Sequence, residues 1–213
     1  MTLGRLAMVA VVGALAFTAA ATSALSASAV APGAIFRVRP DLRMCPSPMC
    51  GGYWVAQANR ATTACGDGTT RAWCYVAGIA LPKPARSRDS MLARGRIVHI
   101  GDGEIRPIDR FMASEAWLGA TRAPATGTVY LVSDNGIRCV RAPCPSLRVL
   151  AVNTKRADLA SGLDLSGVTA SPALKRKAQT ALMNGGLLVA GSMRHFSDVT
   201  QEVVATQFFL AAV

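Results

Sequence analysis

Six cysteines and two histidines are the residues whose types and spacing bear most directly on chemistry. The cysteines fall as Cys45 and Cys50, Cys65 and Cys74, and Cys139 and Cys144. Thiols so placed bridge, bind a metal or act as nucleophiles, and the spacing discriminates. A zinc site from Cys45, Cys50, Cys65 and Cys74 would combine C-x4-C with C-x8-C. The second spacing is wider than the usual C-x2–4-C knuckle, and the second half of the chain has only two cysteines with which to repeat it. His99 and His195 do not occupy matching positions. Asp102, Glu104 and Asp109 lie close together but lack the dense Asp/Asn spacing of a calcium loop. No G-x-S-x-G, H-E-x-x-H, phosphate-loop or dinucleotide motif occurs. The sequence therefore assigns no catalytic residue, no cofactor and no metal.

The elements that must position these residues begin with a targeting segment. Arg5 precedes an uncharged apolar run from Leu6 to about Leu25, and Ala27-Ser28-Ala29 closes it. That order predicts a signal peptide over residues 1–29. An uncleaved anchor is the competing reading, but the run is rich in alanine and the small-residue exit follows at once. No cysteine stands near the exit to carry a lipid. The expected location is secreted or periplasmic, with no transmembrane segment after cleavage. In that compartment the cysteines pair.

Lys and Arg number 23 against 12 Asp and Glu, a formal net charge of +11. The positive charges are mostly Arg and are spread along the chain, with no block of five or six like charges. This argues against a dedicated nucleic-acid tail. The partners it leaves are an anionic envelope polymer or another secreted protein.

The chain also repeats itself. Cys45, Cys50 and Asn59 recur at one constant offset as Cys139, Cys144 and Asn153. Phe36 and Tyr130 keep that offset. With small shifts, Pro82 matches Pro172, Leu92 matches Leu182, Gly95 matches Gly185, and Gly101 matches Gly191. The stretch from Ala113 to Leu118 matches that from Ala205 to Leu210. Such self-similarity predicts two copies of one unit, over 34–121 and 127–213. The second copy holds only Cys139 and Cys144, so these pair. By equivalence Cys45 pairs with Cys50, and Cys65 is left for Cys74 in a segment where copy one is four residues longer. Rings this short are worth about 2 to 3 kcal/mol each in the loop-entropy model, so their main use is to fix hairpin tips.

Each copy reads as β-β-α-β-β. Short runs rich in Val, Ile, Tyr, Trp and Phe, bounded by Gly, Pro, Asn and Asp, predict strands at 35–39, 53–58, 96–100 and 111–118, and at 128–133, 147–152, 187–190 and 203–211. A helix is predicted from Pro172, capped by Ser171, to Gly185, with Leu174, Ala178, Ala181 and Leu182 on one face. A weaker helix is expected over Pro82–Gly95. The expected fold is α+β, a mostly antiparallel sheet with helices on one face.

The residues from Arg39 to Cys45, from Pro48 to Tyr53, Asn59, Thr63, Cys65, Asp67-Gly68 and Cys74-Tyr75-Val76 carry a resemblance, as do those from Asp134 to Cys139 and from Ala142 to Ser146. Together they resemble a bacterial family of exported proteins known only as a domain of unknown function. The resemblance spans essentially the whole mature chain. It implies export and a shared fold, and it implies no activity.

Two further readings concern the surface. Tyr53 and Trp54 are neighbours on a strand, so they point to opposite faces, one inward and one outward. Trp73 and Tyr75 are further exposed aromatic candidates, and an outward aromatic beside Arg43, Arg60 and Arg71 is either a recognition surface or a lid on the disulfide. Arg141, at the tip of the second cysteine loop, is the candidate side chain for insertion into a partner. The function expected is a non-enzymatic binding or interaction module of the envelope or extracellular space. The alternative is an envelope-directed hydrolase using His99 or His195 with the acidic turn at Asp102. N-terminal sequencing of the native protein should return a start near Val30; membrane-bound material beginning at Met1 would sink the signal-peptide reading.

Overall fold

A computed structural model of the chain describes residues 33–81, 90–102, 107–197 and 200–212. The predicted signal peptide and most of the predicted first helix lie outside these residues. In the first half the strands are β1 (Ala34–Pro40), β2 (Tyr53–Gln57), β3 (Thr63–Ala64), β4 (Thr70–Arg71), β5 (Cys74–Val76), β6 (Gly78–Ala80), β7 (Met91–Asp102) and β8 (Pro107–Gly119). In the second they are β9 (Thr128–Asp134), β10 (Leu147–Ala151), β11 (Ala157–Ala160) and β12 (Gly162–Asp164). Helix α1 (Pro172–Met183), β13 (Leu187–Ser197) and β14 (Thr200–Ala211) complete it.

The main sheet runs β11-β10-β9-β13-β14-β8-β7-β1-β2-β5, with β12 added to β14 and β6 to β8. Its neighbours are antiparallel except for those last two pairs, which are parallel. The order β10-β9-β13-β14 in the second half matches β2-β1-β7-β8 in the first. Where the halves meet, β8 and β14 pair antiparallel through Gly119, Leu118 and Trp117 against Phe209, Leu210 and Ala211. β1 runs with β8, because each is antiparallel to β7, and β9 runs with β14 through β13. Hence β1 and β9 run in opposite senses, and the two cysteine loops that follow them leave at opposite ends of the molecule.

Alternation along the strands divides the core into three. Phe36, Val38, Val55, Val76, Met91 and Phe111 form the interior of the first half, with the Phe36 and Phe111 rings edge to face at 5.0 Å. Val132, Val149, Leu187, Val189, Val203 and Phe208 form that of the second. Ile35, Leu92, Val129, Leu188 and Phe209 point the other way and form a third cluster shared by both halves. Helix α1 covers the second interior. The Ser171 hydroxyl caps it by accepting the Leu174 N–H at 3.3 Å, Pro172 fits its first turn, where no donor is needed, and Ala178 is its fully buried contact.

The expected α+β class is overturned. Among the described residues α1 is the one helix, and the fold is mostly antiparallel β. Met91–Gly95, expected to end a first-half helix, belong to β7. The reason is physical: Met91 and Ala93 face the first interior while Leu92 faces the shared core. Both faces of this strand are covered, so it lacks the polar alternation that separates a strand from a helix end. The match of Gly95 to Gly185 fails with it, since Gly185 follows α1. The position like Gly95 is Gly191. Each sits at a shift of register, Gly95 opposite Ala113 and Gly191 opposite Ala205. A Cβ at either would collide with a backbone carbonyl, that of Met112 or Val204.

Two asparagines tie the halves together. Asn59 and Asn153 both hold φ at 58°, a left-handed conformation that asparagine tolerates better than most residues. The Asn59 amide donates to the carbonyls of Val129 at 2.7 Å and Val152 at 3.0 Å, and its oxygen accepts the Val129 N–H at 2.8 Å. The Asn153 amide donates to Ile35 at 2.6 Å and Ala58 at 2.9 Å, and its oxygen accepts the Ile35 N–H at 2.9 Å. Each half thus caps the start of the other half's first strand. Asn153→Ala should lower stability by about 2 to 4 kcal/mol, because one truncation orphans the Ile35 N–H and the Ala58 carbonyl and leaves the Ile35 carbonyl with the Ala58 N–H as its remaining donor. Asn153→Asp should be no milder, since a carboxylate would face two carbonyls. Adding Asn59→Ala should cost less than the sum of the single changes, because both act at one joint. Urea unfolding measures all of these.

Candidate functional site

The exposed face of the first half is built on β1, β2 and β5. Their register sets Arg39 opposite Trp54 and Trp54 opposite Tyr75, so these three side chains share a face. Tyr53 and Val55 occupy the other face, where Tyr53 packs on the first interior. Trp54 is therefore the member of the Tyr53–Trp54 pair that belongs to the surface. Its ring meets the Tyr75 ring edge to face, with centroids 5.5 Å apart.

Arg43 is laid over this pair. Its guanidinium lies 5.1 Å from the Trp54 ring centre and 5.8 Å from that of Tyr75. Behind it, Asp41 accepts from Arg43 Nε at 2.9 Å and Nη2 at 2.8 Å, and the Met49 carbonyl accepts from Nη2 at 3.1 Å. The Asp41 side chain is buried while that of Arg43 is half exposed. Hydrogen bonds from Arg43 hold the Asp41 carboxyl down at about 2, against the burial that would raise it. Tyr75 Oη donates to the Pro48 carbonyl at 2.9 Å. The disulfide between Cys45 and Cys50 closes this loop, and the loop is folded back onto the aromatic pair.

A second disulfide, Cys65–Cys74, fastens the segment that carries Trp73, over whose ring the Arg39 guanidinium lies at 4.3 Å. Beside it Trp54, Trp73, Tyr75, Asp67, Arg71 and Asp109 line a cavity of about 120 Å³. Asp109 is buried; it accepts the Gly66 N–H at 2.9 Å and faces His99 Nδ1 at 3.1 Å. Gly66 is required there, since a Cβ would overlap the Asp109 carboxylate. His99 and Asp109 meet because they are directly opposed in the β7–β8 hairpin.

Of the residues singled out from sequence, the structure brings Arg43 and Trp54 together. Tyr53 lies on the opposite face, and Arg141 lies in the other cysteine loop, at the far end of the molecule. That loop is closed by Cys139–Cys144 and has its own clamp. Asp134 accepts from Arg138 at 2.6 and 3.0 Å and is held down at about 2 by those bonds and the Gly136 N–H. Asp41 and the pairing of His99 with Asp109 were missed. The turn expected at Gly101-Asp102-Gly103 would have opposed His99 to a residue near 105; Gly101 and Asp102 instead belong to β7 and pair with Ile108 and Pro107. His195 is exposed on β13, opposite Gln201. The Asp102 side chain and Glu104 lie outside the described residues. Among the described residues no group of three or more His, Cys, Asp or Glu is placed to hold a metal ion, and no helix is long and apolar enough to cross a membrane.

The chain belongs to the family described as Domain of unknown function (DUF6748), whose model matches residues 34–213. No curated protein and no solved structure matches it.

The Arg43 clamp predicts an acid transition. The folded pKa of Asp41, about 2, lies below the ordinary value near 3.9. The clamp's contribution is therefore complete above about pH 4 and is lost as pH falls through about 2. Tryptophan emission followed from about pH 5 downward should change with a midpoint near 2, because protonating Asp41 frees the cation over Trp54. Asp41→Asn should abolish that step; an unaltered step in this variant would assign it elsewhere.

Proposed function

We propose that this family member is an exported, internally duplicated, non-enzymatic binding module that holds its partner against the Arg43–Trp54–Tyr75 face. Its three disulfides suit an oxidising compartment outside the cytoplasm. Duplication is supported by the matching strand orders, the reciprocal asparagines and the matching register shifts at Gly95 and Gly191. The observation that carries the binding reading is the posture of Arg43. It is fixed from behind by Asp41 and the Met49 carbonyl, spread over two aromatic rings, and half exposed in front. A guanidinium held in this way loses little freedom on meeting an anion, and the ring edges beside it offer apolar contact to the rest of the ligand. An anionic envelope polymer meets both demands, and another secreted protein with an acidic patch is the second candidate.

Cosedimentation of the purified protein with isolated envelope polymer tests this. Arg43→Ala with Trp54→Ala should reduce the bound fraction about tenfold, the usual scale for losing a central Arg–aromatic contact. Added salt should weaken binding of the native protein. Equal retention of the native protein and the variant would sink the proposal.

A hydrolase remains the second reading, favoured by one observation: His99 is oriented by the buried Asp109 at 3.1 Å. A carboxylate that fixes an imidazole is the arrangement a general base needs. Release of soluble fragments from the same polymer, abolished by His99→Ala, would favour this reading over simple binding.

A further inference from the structure

We infer that a second site, on the same sheet face as Arg43 but in a cavity that Arg43, Trp54 and Tyr75 do not line, binds a small apolar carboxylate between β1 and the segment joining the two halves. Arg37 and Arg39 stand two apart on β1 and so share a face. Together with Trp73 they line a cavity of about 170 Å³ whose other walls include Met91, Leu92 and Phe209. Neither arginine has a carboxylate at ion-pair distance among the described residues. Arg37 donates only to backbone carbonyls, those of Ala125 and Gly127, and its Nε is buried without a partner. Burial pushes the pKa of this guanidinium down. Arg39 lies over the Trp73 ring instead of pairing with an acid.

Two guanidinium groups at one partly desolvated cavity repel each other, and water screens them poorly there. An anion relieves that repulsion. It would meet Arg39 directly and offset the charge of Arg37 beside it. Apolar walls of Met91, Leu92 and Phe209 are wasted on inorganic phosphate but suit a ring or branched alkyl group attached to the charge. The cavity is small for a whole drug-sized ligand. It fits a small organic acid or the terminal carboxylate and last side chain of a peptide. Both sources present the same chemistry: one carboxylate and one apolar group.

The test is amide shift mapping of the purified protein titrated with benzoate and, in parallel, with N-acetylphenylalanine. Benzamide and N-acetylphenylalanine amide are the neutral controls. Saturable shifts at Arg37, Arg39 and Ser90 with the acids, and not with the amides, are the expected result. Tighter binding of N-acetylphenylalanine than of benzoate would point to a peptide terminus, and the reverse to a free aryl acid. Arg39→Gln removes an exposed side chain and should keep the melting temperature while weakening the acids about tenfold. Arg43→Ala should leave them unchanged, so the failure of this site and of the Arg43 face are read separately. Shifts that do not saturate, equal shifts from acid and amide, or undiminished binding in Arg39→Gln would overturn the inference.

Discussion

The reciprocal exchange between Asn59 and Asn153 decides how the two halves of this molecule sit. Beyond it, among the described residues the sheet joins them through three residue pairs of β8 and β14, flanked by the Ala120–Phe208 and Ala212–Ala116 backbone bonds, at one side of the shared core. The asparagines close the other side. Each side chain bonds three backbone groups of the opposite half, two at the start of its first strand and one just after its second. The Ile35 and Val129 carbonyls also accept the N–H of Ala58 and Val152, but the Ile35 and Val129 N–H groups rely on the asparagine oxygens, and leaving buried backbone groups unmade is costly. Both residues need a positive φ to reach across, which narrows the choice to asparagine, aspartate or glycine. Only asparagine among these offers a donor for two carbonyls and an acceptor for one N–H.

That joint has a geometric consequence. Because the halves meet head to head with β1 and β9 opposed, each cysteine loop is carried to its own end of the molecule. The loops share a logic: a short disulfide ring and a carboxylate that clamps an arginine, Asp41 with Arg43 and Asp134 with Arg138. They differ in what lies beneath. The first half covers its interior in part with the segment stapled by Cys65 and Cys74, which brings Tyr75 under the loop and Trp73 beside Arg39. The second half covers its interior with α1, and the loop around Val140 and Arg141 stands clear. A shared scaffold therefore presents an aromatic, arginine-rich face at one end and an exposed apolar tip at the other.

What the sequence disclosed follows the same division. The cysteines and asparagines were visible because they recur at one spacing and because their chemistry tolerates few substitutes. Helix α1 was visible because a cap, a first-turn proline and a one-sided apolar stripe agree. β7 was misread where it is buried on both faces, since Met91-Leu92-Ala93 offers no polar alternation to mark a strand. The short strands β3 to β6, β11 and β12 carry too few residues for any period to register. Of the candidate site, Arg43 and Trp54 were found by type. Tyr75 was a candidate by type as well, but its place beside Trp54 comes from strand register, and Asp41 joins through a folded loop, which residue type does not encode. His99 and Asp109 were each noticed, but their meeting depends on where the β7–β8 hairpin turns.

The charge distribution links the scaffold to its chemistry. A net charge of +11 says little while the arginines look scattered along the chain. In the fold the described carboxylates are drawn to particular partners: Asp41 to Arg43, Asp67 to Arg71, Glu115 to Arg94, Asp134 to Arg138, Asp158 to Arg156, and Asp164 and Glu202 to Arg194. Among the described residues several arginines have no ion pair, Arg60, Arg141 and Arg148 among them; Arg37 and Arg39 are two such on the same strand and the same face. Surface pairs of this kind contribute little stability, so their larger effect is to decide where positive charge remains. Part of it remains on β1, beside Trp73 and close to the segment that joins the halves. A strand that must lie against that segment's carbonyls gains from Arg37 as a donor. The uncompensated charge that results is then available to an anion, which makes the seam between the halves a place for binding as well as for assembly.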